Sequence, residues 1–201
     1  MENQEKVWDN IAQEWDKFKT IPSQETISFL EQTHGNVLDL GSGSGRHLMK
    51  INNGKMYLVD FSQEMLDLAE EKAKKQNISA EFIKSDLTKL PFKDNFFDFA
   101  ICISSLHCIK GEENRKKTVQ ELYRVLKPKA RAEIGVWNKN SKRFQKSSKE
   151  KLVKWRNKGE RYYYLYEEKE IHNLFISIGF KIISTNNSNL MINFIVEKSQ
   201  N

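Results

Sequence analysis

The stretch Val37-Leu38-Asp39-Leu40-Gly41-Ser42-Gly43-Ser44-Gly45-Arg46 decides how this chain folds. A short apolar run enters three alternating glycines and leads into a helical pattern. Glycine is the cheapest residue where a backbone must turn tightly and let a ligand come close, because it has no Cβ to clash. Open α/β sheets hold nucleotide-like ligands with a strand that enters a glycine turn opening a helix. Three glycines in five residues are more than an ordinary strand-to-helix turn needs. The pattern by itself does not name the ligand.

Outward from that turn, strand and helix signals alternate. Residues 36–40, 55–60, 80–84, 98–104 and 130–137 read as strands; the fourth is almost continuously apolar, as for a strand buried on both faces. Residues 45–51 read as a helix, then one capped by Ser62 and continued through Glu64, Met65, Leu66, Leu68, Ala69 and Ala73, and 111–126 ended by Lys127 and Pro128. Upstream, residues 5–18 place Val7, Trp8, Ile11, Ala12, Trp15 and Phe18 on one side of a helix. A second helix runs from Pro22, suited to a first helical position, to Gln32. Downstream, residues 167–178 make a helix closed by Gly179, and 180–184 and 190–197 make strands joined through Asn186-Asn187-Ser188-Asn189. That short connection requires antiparallel pairing, whereas the earlier strands need helical crossovers and are parallel. The expected fold is one α/β domain over residues 1–201, with a mostly parallel seven-stranded sheet, an antiparallel last strand and helices on both faces.

Composition narrows the function classes. At 201 residues the chain fits one domain with a sizeable core. No stretch is long and apolar enough to span a membrane, and the polar start is no secretory signal. Cys102 and Cys108 give neither a disulfide framework nor zinc-ligand spacing, so reduced thiols in a cytoplasm are expected, with no metal site. The net charge is +6, yet residues 138–161 hold ten Lys or Arg against two Glu, a local +8. The rest of the chain is therefore acidic overall, and the concentrated basic segment points to a polyanion such as nucleic acid. The competing reading is a solvated insertion.

Dinucleotide enzymes use G-x-G-x-x-G, and here Arg46 stands where the last glycine would fall. The motif reads G-x-G-x-G after Asp39. With seven strands and an antiparallel final pair it resembles the class I S-adenosylmethionine-dependent methyltransferases, over nearly the whole chain. Asp60, ending the second strand, is placed to accept both ribose hydroxyls, though it could equally cap a helix. The resemblance implies that Asp86 meets the adenine amino group and the Leu87 backbone meets the ring, where a plain turn Asp is the alternative. It implies that Asp39 positions the methionine amino end. It also implies that Trp15 and Phe61, with the N-terminal helices of residues 1–34, cover the coenzyme. Ser104 to His107 follow the fourth strand, where the acceptor belongs; His107 could hydrogen-bond the acceptor, take its proton, or be structural.

Arg161-Tyr162-Tyr163-Tyr164-Leu165-Tyr166, Leu106-His107, Gly135-Val136-Trp137 and the Val7–Phe18 helix together resemble the tRNA wobble-uridine carboxymethyl methyltransferases. The resemblance implies esterification of a carboxymethyl group on the anticodon stem-loop of tRNA. A carboxylate is already ionised at neutral pH and needs no general base; His107 and Arg161 would hold it. Residues 138–166 are then the RNA-binding segment, with Lys142, Arg143 and Arg156 on phosphates and Trp155, Tyr162 or Tyr163 stacking an unpaired base, unless the tyrosines are core residues. The family's Arg before the N-terminal proline is not matched, since the chain reads Thr20-Ile21-Pro22; Lys17 or Lys19 stands nearest. The resemblance also implies a small zinc-containing activator subunit adding a strand at the edge beside Ala80, Phe82 and Ile83. A small-molecule methyltransferase and a non-enzymatic S-adenosylmethionine-binding RNA adaptor are the alternatives.

Overall fold

The computed structural model describes residues 3–186 and 188–200. Asn187, in the expected connection before the last strand, lies outside the described residues, as do Met1, Glu2 and Asn201. The helices are α1 (Gln4–Phe18), α2 (Gln24–Leu30), α3 (Gln63–Gln76), α4 (Glu112–Val125) and α5 (Glu168–Ile178). The strands are β1 (His34–Leu40), β2 (Asn52–Asp60), β3 (Ala80–Lys84), β4 (Phe97–Ile103), β5 (Leu126–Trp137), β6 (Glu150–Lys154), β7 (Glu160–Tyr164), β8 (Phe180–Thr185) and β9 (Met191–Lys198). Seven of them form one sheet in the order β3-β2-β1-β4-β5-β9-β8, and β6 and β7 make a separate hairpin. β9 runs antiparallel to both neighbours, and the other pairs in the main sheet are parallel. This is the expected seven-stranded architecture.

Local chemistry sets the element ends. Asn3, Ser23 and Ser62 accept hydrogen bonds from the first free N–H groups of α1, α2 and α3. Asn77 and Gly179 stop α3 and α5 in the left-handed conformation. Helices cover both faces because strand side chains alternate. Val37, Met56 and Leu58 pack on Phe29 and Leu30 of α2 and Leu66 and Ala69 of α3. Leu38, Leu40 and Val59 pack with Val119 and Leu122 of α4 and Ile171 and Phe175 of α5. Among the described residues no helix is long and apolar enough to cross a membrane.

Three expectations are corrected. Residues 45–51 form no helix: residues 43–47 are turn and residues 48–51 are irregular. Only residues 41–51 separate β1 from β2, and Gly41, Gly43 and Gly45 all take positive φ there, so no room remains for a helical crossover. Pro22 is outside α2, because Ser23 has extended φ and ψ and caps the helix instead. The basic segment, read from the sequence without strands of its own, carries the β6–β7 hairpin. Glu150↔Tyr164 to Lys154↔Glu160 pair antiparallel, and Arg156 and Gly159 at positive φ make the turn.

Candidate active site

The glycine loop is held by its neighbours on every side. Gly41 N–H and Ser42 N–H donate to the Val59 carbonyl at 2.8 and 3.0 Å. Gly43 N–H donates to Asp60 Oδ2 at 2.8 Å, and Ser105 Oγ donates to the Gly41 carbonyl at 2.7 Å. Lys72 Nζ donates to the Ser44 carbonyl at 2.7 Å and to Asp16 of α1 at 3.1 Å, tying loop, α3 and α1 together. A Cβ at Gly41, whose φ is +78°, would overlap the Ser105 side chain, and one at Gly45 would press on Ala69 of α3. Gly43 differs: a Cβ there would meet nothing nearer than Met65 Sδ at 4.0 Å, because it faces a cavity.

That cavity, about 300 Å³, opens outside the carboxyl ends of β1, β2 and β4. Of the residues expected at the coenzyme, Trp15, Gly41, Gly43, Asp60, Phe61, Asp86, Leu87 and Ser104 line it. Gly45 and Asp39 do not: Gly45 faces α3, and Asp39 lies behind the loop. Asp39 is buried with Oδ2 unpartnered, and burial raises its pKa to about 7 against the pull of the Arg46 charge. Asp60 is raised to about 6, by burial against hydrogen bonds from the Ser62, Gly43 and Phe61 backbone. Its side chain thus staples the loop and also faces the cavity. Asp86 accepts from Thr88 N–H and Oγ1 at 2.8 and 2.7 Å, so the turn role and the cavity position coexist.

The far wall is built from β4, β5 and β7. Ser104 takes a φ of +64°, which swings the chain into the short helical turn Leu106–Cys108 and puts His107 on the cavity. Trp137 N–H donates to His107 Nδ1 at 3.1 Å, so the neutral ring carries its proton on Nε2. Burial lowers the His107 pKa to about 3. His107 is therefore a hydrogen-bond donor; the proton-accepting role does not fit. Trp137 stacks against both His107 and Tyr163, with centroids 5.1 and 4.2 Å away, and those two rings also touch each other at 5.5 Å.

Side chains of β7 alternate, and this sorts the Arg161 run. Tyr163 lines the cavity, whereas Tyr162 points the other way into the core, its hydroxyl near Arg115, and is no cavity residue. Arg161 is also displaced from its expected place. It lies buried among the rings of Trp8, Trp15, Trp155 and Tyr163, donates from Nη1 to the Tyr163 hydroxyl at 2.7 Å, and does not line the cavity. Trp155 packs edge-on against Trp15 and Phe18 and donates from Nε1 to Glu14 at 2.8 Å, so it braces α1. Arg156 and Lys158 pair with that same Glu14, and Lys149 with Glu170. Lys142 and Arg143 remain exposed.

Two cations line the cavity: Lys19, one of the two lysines nearest the place of the family's unmatched Arg, and Arg46, for which the sequence offered no role there. Lys19 is held below the usual lysine range by burial and by the charges of Arg46, Arg143 and Arg161. Among the described residues none of these four makes an ion pair. Their convergence carries no local signature, because they come from the end of α1, the glycine loop, the basic segment and β7. No cluster of metal-ligating residues occurs among the described residues.

Comparison with known proteins gives this geometry a family. A methyltransferase-domain family model matches residues 37–129. The chain is 30% identical over 66% of its length to a tRNA (carboxymethyluridine(34)-5-O)-methyltransferase of Arabidopsis thaliana. It is 33% identical over 65% of its length to a 2-phytyl-1,4-naphtoquinone methyltransferase of Nostoc punctiforme. A SAM-dependent methyltransferase from Methanosarcina mazei superposes with a TM-score of 0.74 at 23% identity, covering 90% of this chain and 100% of that one. The chain is a class I S-adenosylmethionine-dependent methyltransferase. It spans 32% of the Arabidopsis protein and 53% of the Nostoc protein. The methyltransferase's cavity fits its coenzyme. The open face of Gly43 leaves space beside the loop, the Asp60 and Asp86 carboxylates face that space, and Trp15, Phe61 and Leu87 supply apolar walls.

Proposed function

We propose that this methyltransferase esterifies a carboxylate carried by RNA, the carboxymethyl group of a wobble uridine in a tRNA anticodon stem-loop. The observation that carries the reading is that Arg46, Arg143 and Arg161 lie close enough to Lys19 to act on its charge, while among the described residues none of the four makes an ion pair and only Arg46 feels an opposite charge, that of the buried Asp39. A coenzyme carboxylate neutralises one positive charge, which leaves an excess suited to an anionic acceptor. The Arabidopsis relative supports the same reading through its printed activity.

Asp60, Asp86 and the backbone at Leu87 would hold S-adenosylmethionine, with Asp39 behind the loop and out of contact; the coenzyme supplies an electrophilic methyl group on a sulfonium and leaves as a neutral thioether. The acceptor carboxylate is ionised at neutral pH, so no side chain must remove a proton. Neutral His107 would orient it through Nε2–H without over-stabilising it, which a full positive charge in contact would do. Arg161 acts one layer back: it positions Tyr163 and adds field, and is a positioning residue. Lys142 and Arg143, exposed in the basic segment, would contact phosphates. β3 is a terminal strand of the sheet, so its edge can take the added strand of a small zinc-containing activator.

A neutral ring acceptor is the second reading, favoured by the Nostoc relative and by the Trp137–Tyr163 stack on the cavity wall. Incubation with tritiated S-adenosylmethionine separates the two. tRNA bearing carboxymethyluridine, with activator supplied, is expected to take up label while a demethylated naphthoquinone stays unlabelled. The reverse result would overturn the proposal.

A further inference from the structure

A second cavity, about 560 Å³, lies between α2 and the β4-β5-β9-β8 part of the sheet, and it shares no lining residue with the coenzyme cavity. Its floor is unusual. Glu133 projects from β5, between β4 and β9 in the middle of the sheet. Only 5% of the residue is exposed, and its Oε2 has no hydrogen-bond partner. A buried carboxylate without a partner costs several kcal/mol unless it is neutralised or meets a cation.

The surroundings decide between those outcomes. Burial raises the Glu133 acid to about 7; a hydrogen bond from Thr26 opposes this and the Glu25 charge adds to it. The lining base, Arg131, is engaged elsewhere, in an ion pair with Glu197 at 3.1 Å. Glu25 stands exposed at the rim of the same cavity. Phe29 and Phe99, edge-to-face at 6.2 Å, and Phe194 give apolar walls, and the neighbouring Gln24, Gln32 and Asn193 offer amide groups.

We propose that this cavity binds a small aliphatic diamine, one ammonium on Glu133 and the other on Glu25, with the methylene chain along the phenylalanine rings. Two carboxylates at floor and rim ask for two cations on one flexible stem. A single lysine side chain of a docking protein supplies only one. Aromatic faces add to ammonium binding in a desolvated site. Nothing in the reaction proposed for the coenzyme cavity needs this second site.

Titration calorimetry with 1,4-diaminobutane tests it, in the presence of saturating S-adenosylhomocysteine and against sodium chloride of equal ionic strength. Wild-type protein is expected to bind one diamine, and Glu133→Gln to weaken binding at least tenfold with S-adenosylhomocysteine affinity unchanged. Glu25→Gln, at an exposed position that leaves the fold intact, is expected to weaken it several-fold. Absence of diamine binding above the salt control would overturn the proposal. So would unchanged affinity in Glu25→Gln, or binding of Nα-acetyl-lysine amide in preference to the diamine.

Discussion

The two halves of the coenzyme cavity are built in opposite ways. The coenzyme half comes from consecutive strand ends: β1 runs into the glycine loop, β2 ends at Asp60, and β3 leads to Asp86. Its loop is fixed within the protein; Asp60 accepts from the backbone N–H groups of Gly43 and Ser62 among others, and Gly41 is pinned from two sides, while Asp39 Oδ2 behind the loop has no partner among the described residues. The acceptor half is assembled from α1, the Ser104–His107 corner, Trp137 and the β6–β7 hairpin, far apart in the chain. Among the described residues its cations Lys19, Arg143 and Arg161 make no ion pair, and they act on one another with Arg46 of the loop. A fixed half is a platform, and a half with unspent charge is where a second ligand decides the affinity.

The largest effect is expected on the platform. Gly41→Val places a branched side chain at φ +78° and into Ser105. S-adenosylhomocysteine affinity should fall by on the order of a hundredfold or more, with a folded circular dichroism spectrum. Near-normal affinity would show that the loop is not the platform described.

His107→Ala should divide the halves next. Coenzyme affinity should hold within about twofold, while kcat falls roughly a hundredfold, the usual loss for a positioned donor. Because burial lowers the His107 pKa to about 3, the ring stays neutral at ordinary pH. No ionisation limb from His107 should therefore appear in the pH–rate profile between pH 5 and 9; a limb near pH 6.5 would restore it as a base.

A smaller contrast lies within the acceptor half. Lys19→Met should raise the acceptor KM roughly tenfold and leave the salt dependence of tRNA binding in place. Joint substitution of the exposed Lys142 and Lys146 by Ala should instead reduce the slope of log affinity against log salt by about 0.7–0.9 for each lost phosphate contact. Equal behaviour of the two variants would erase the distinction between cavity cations and surface cations.

The smallest effect is on stability without ligand. Asp39 and Asp60 have folded pKa values of about 7 and about 6, above the ordinary 3.8. A group raised on folding holds its proton more tightly in the native state. Its stabilising contribution is present below pH 4 and is lost as pH rises through 6 to 7. Asp39→Asn should flatten the upper part of that fall, read from thermal unfolding between pH 5 and 8.

What the sequence made legible follows the same division. The strand positions, Ser62 as cap, Gly179 as stop and the cavity positions of Gly41, Gly43, Asp60 and Asp86 are written in short stretches, where periodicity and turn chemistry act locally. The missing helix after Gly45 was not legible, because its absence depends on where β2 begins: Asn52 and Asn53 join the strand early. The roles of Arg161 and Tyr162 were misplaced because the Arg-Tyr-Tyr run reads as one motif until β7 pairing alternates its faces. The cation group of Lys19, Arg46, Arg143 and Arg161 exists only after folding.

The most direct test of the acceptor half is the alkali sensitivity of the transferred methyl group. tRNA labelled by this protein from tritiated S-adenosylmethionine should release its tritium as methanol in mild base, because a methyl ester is saponified there. Label that survives such treatment would place the methyl on carbon, nitrogen or an ether oxygen, and would contradict a carboxylate acceptor.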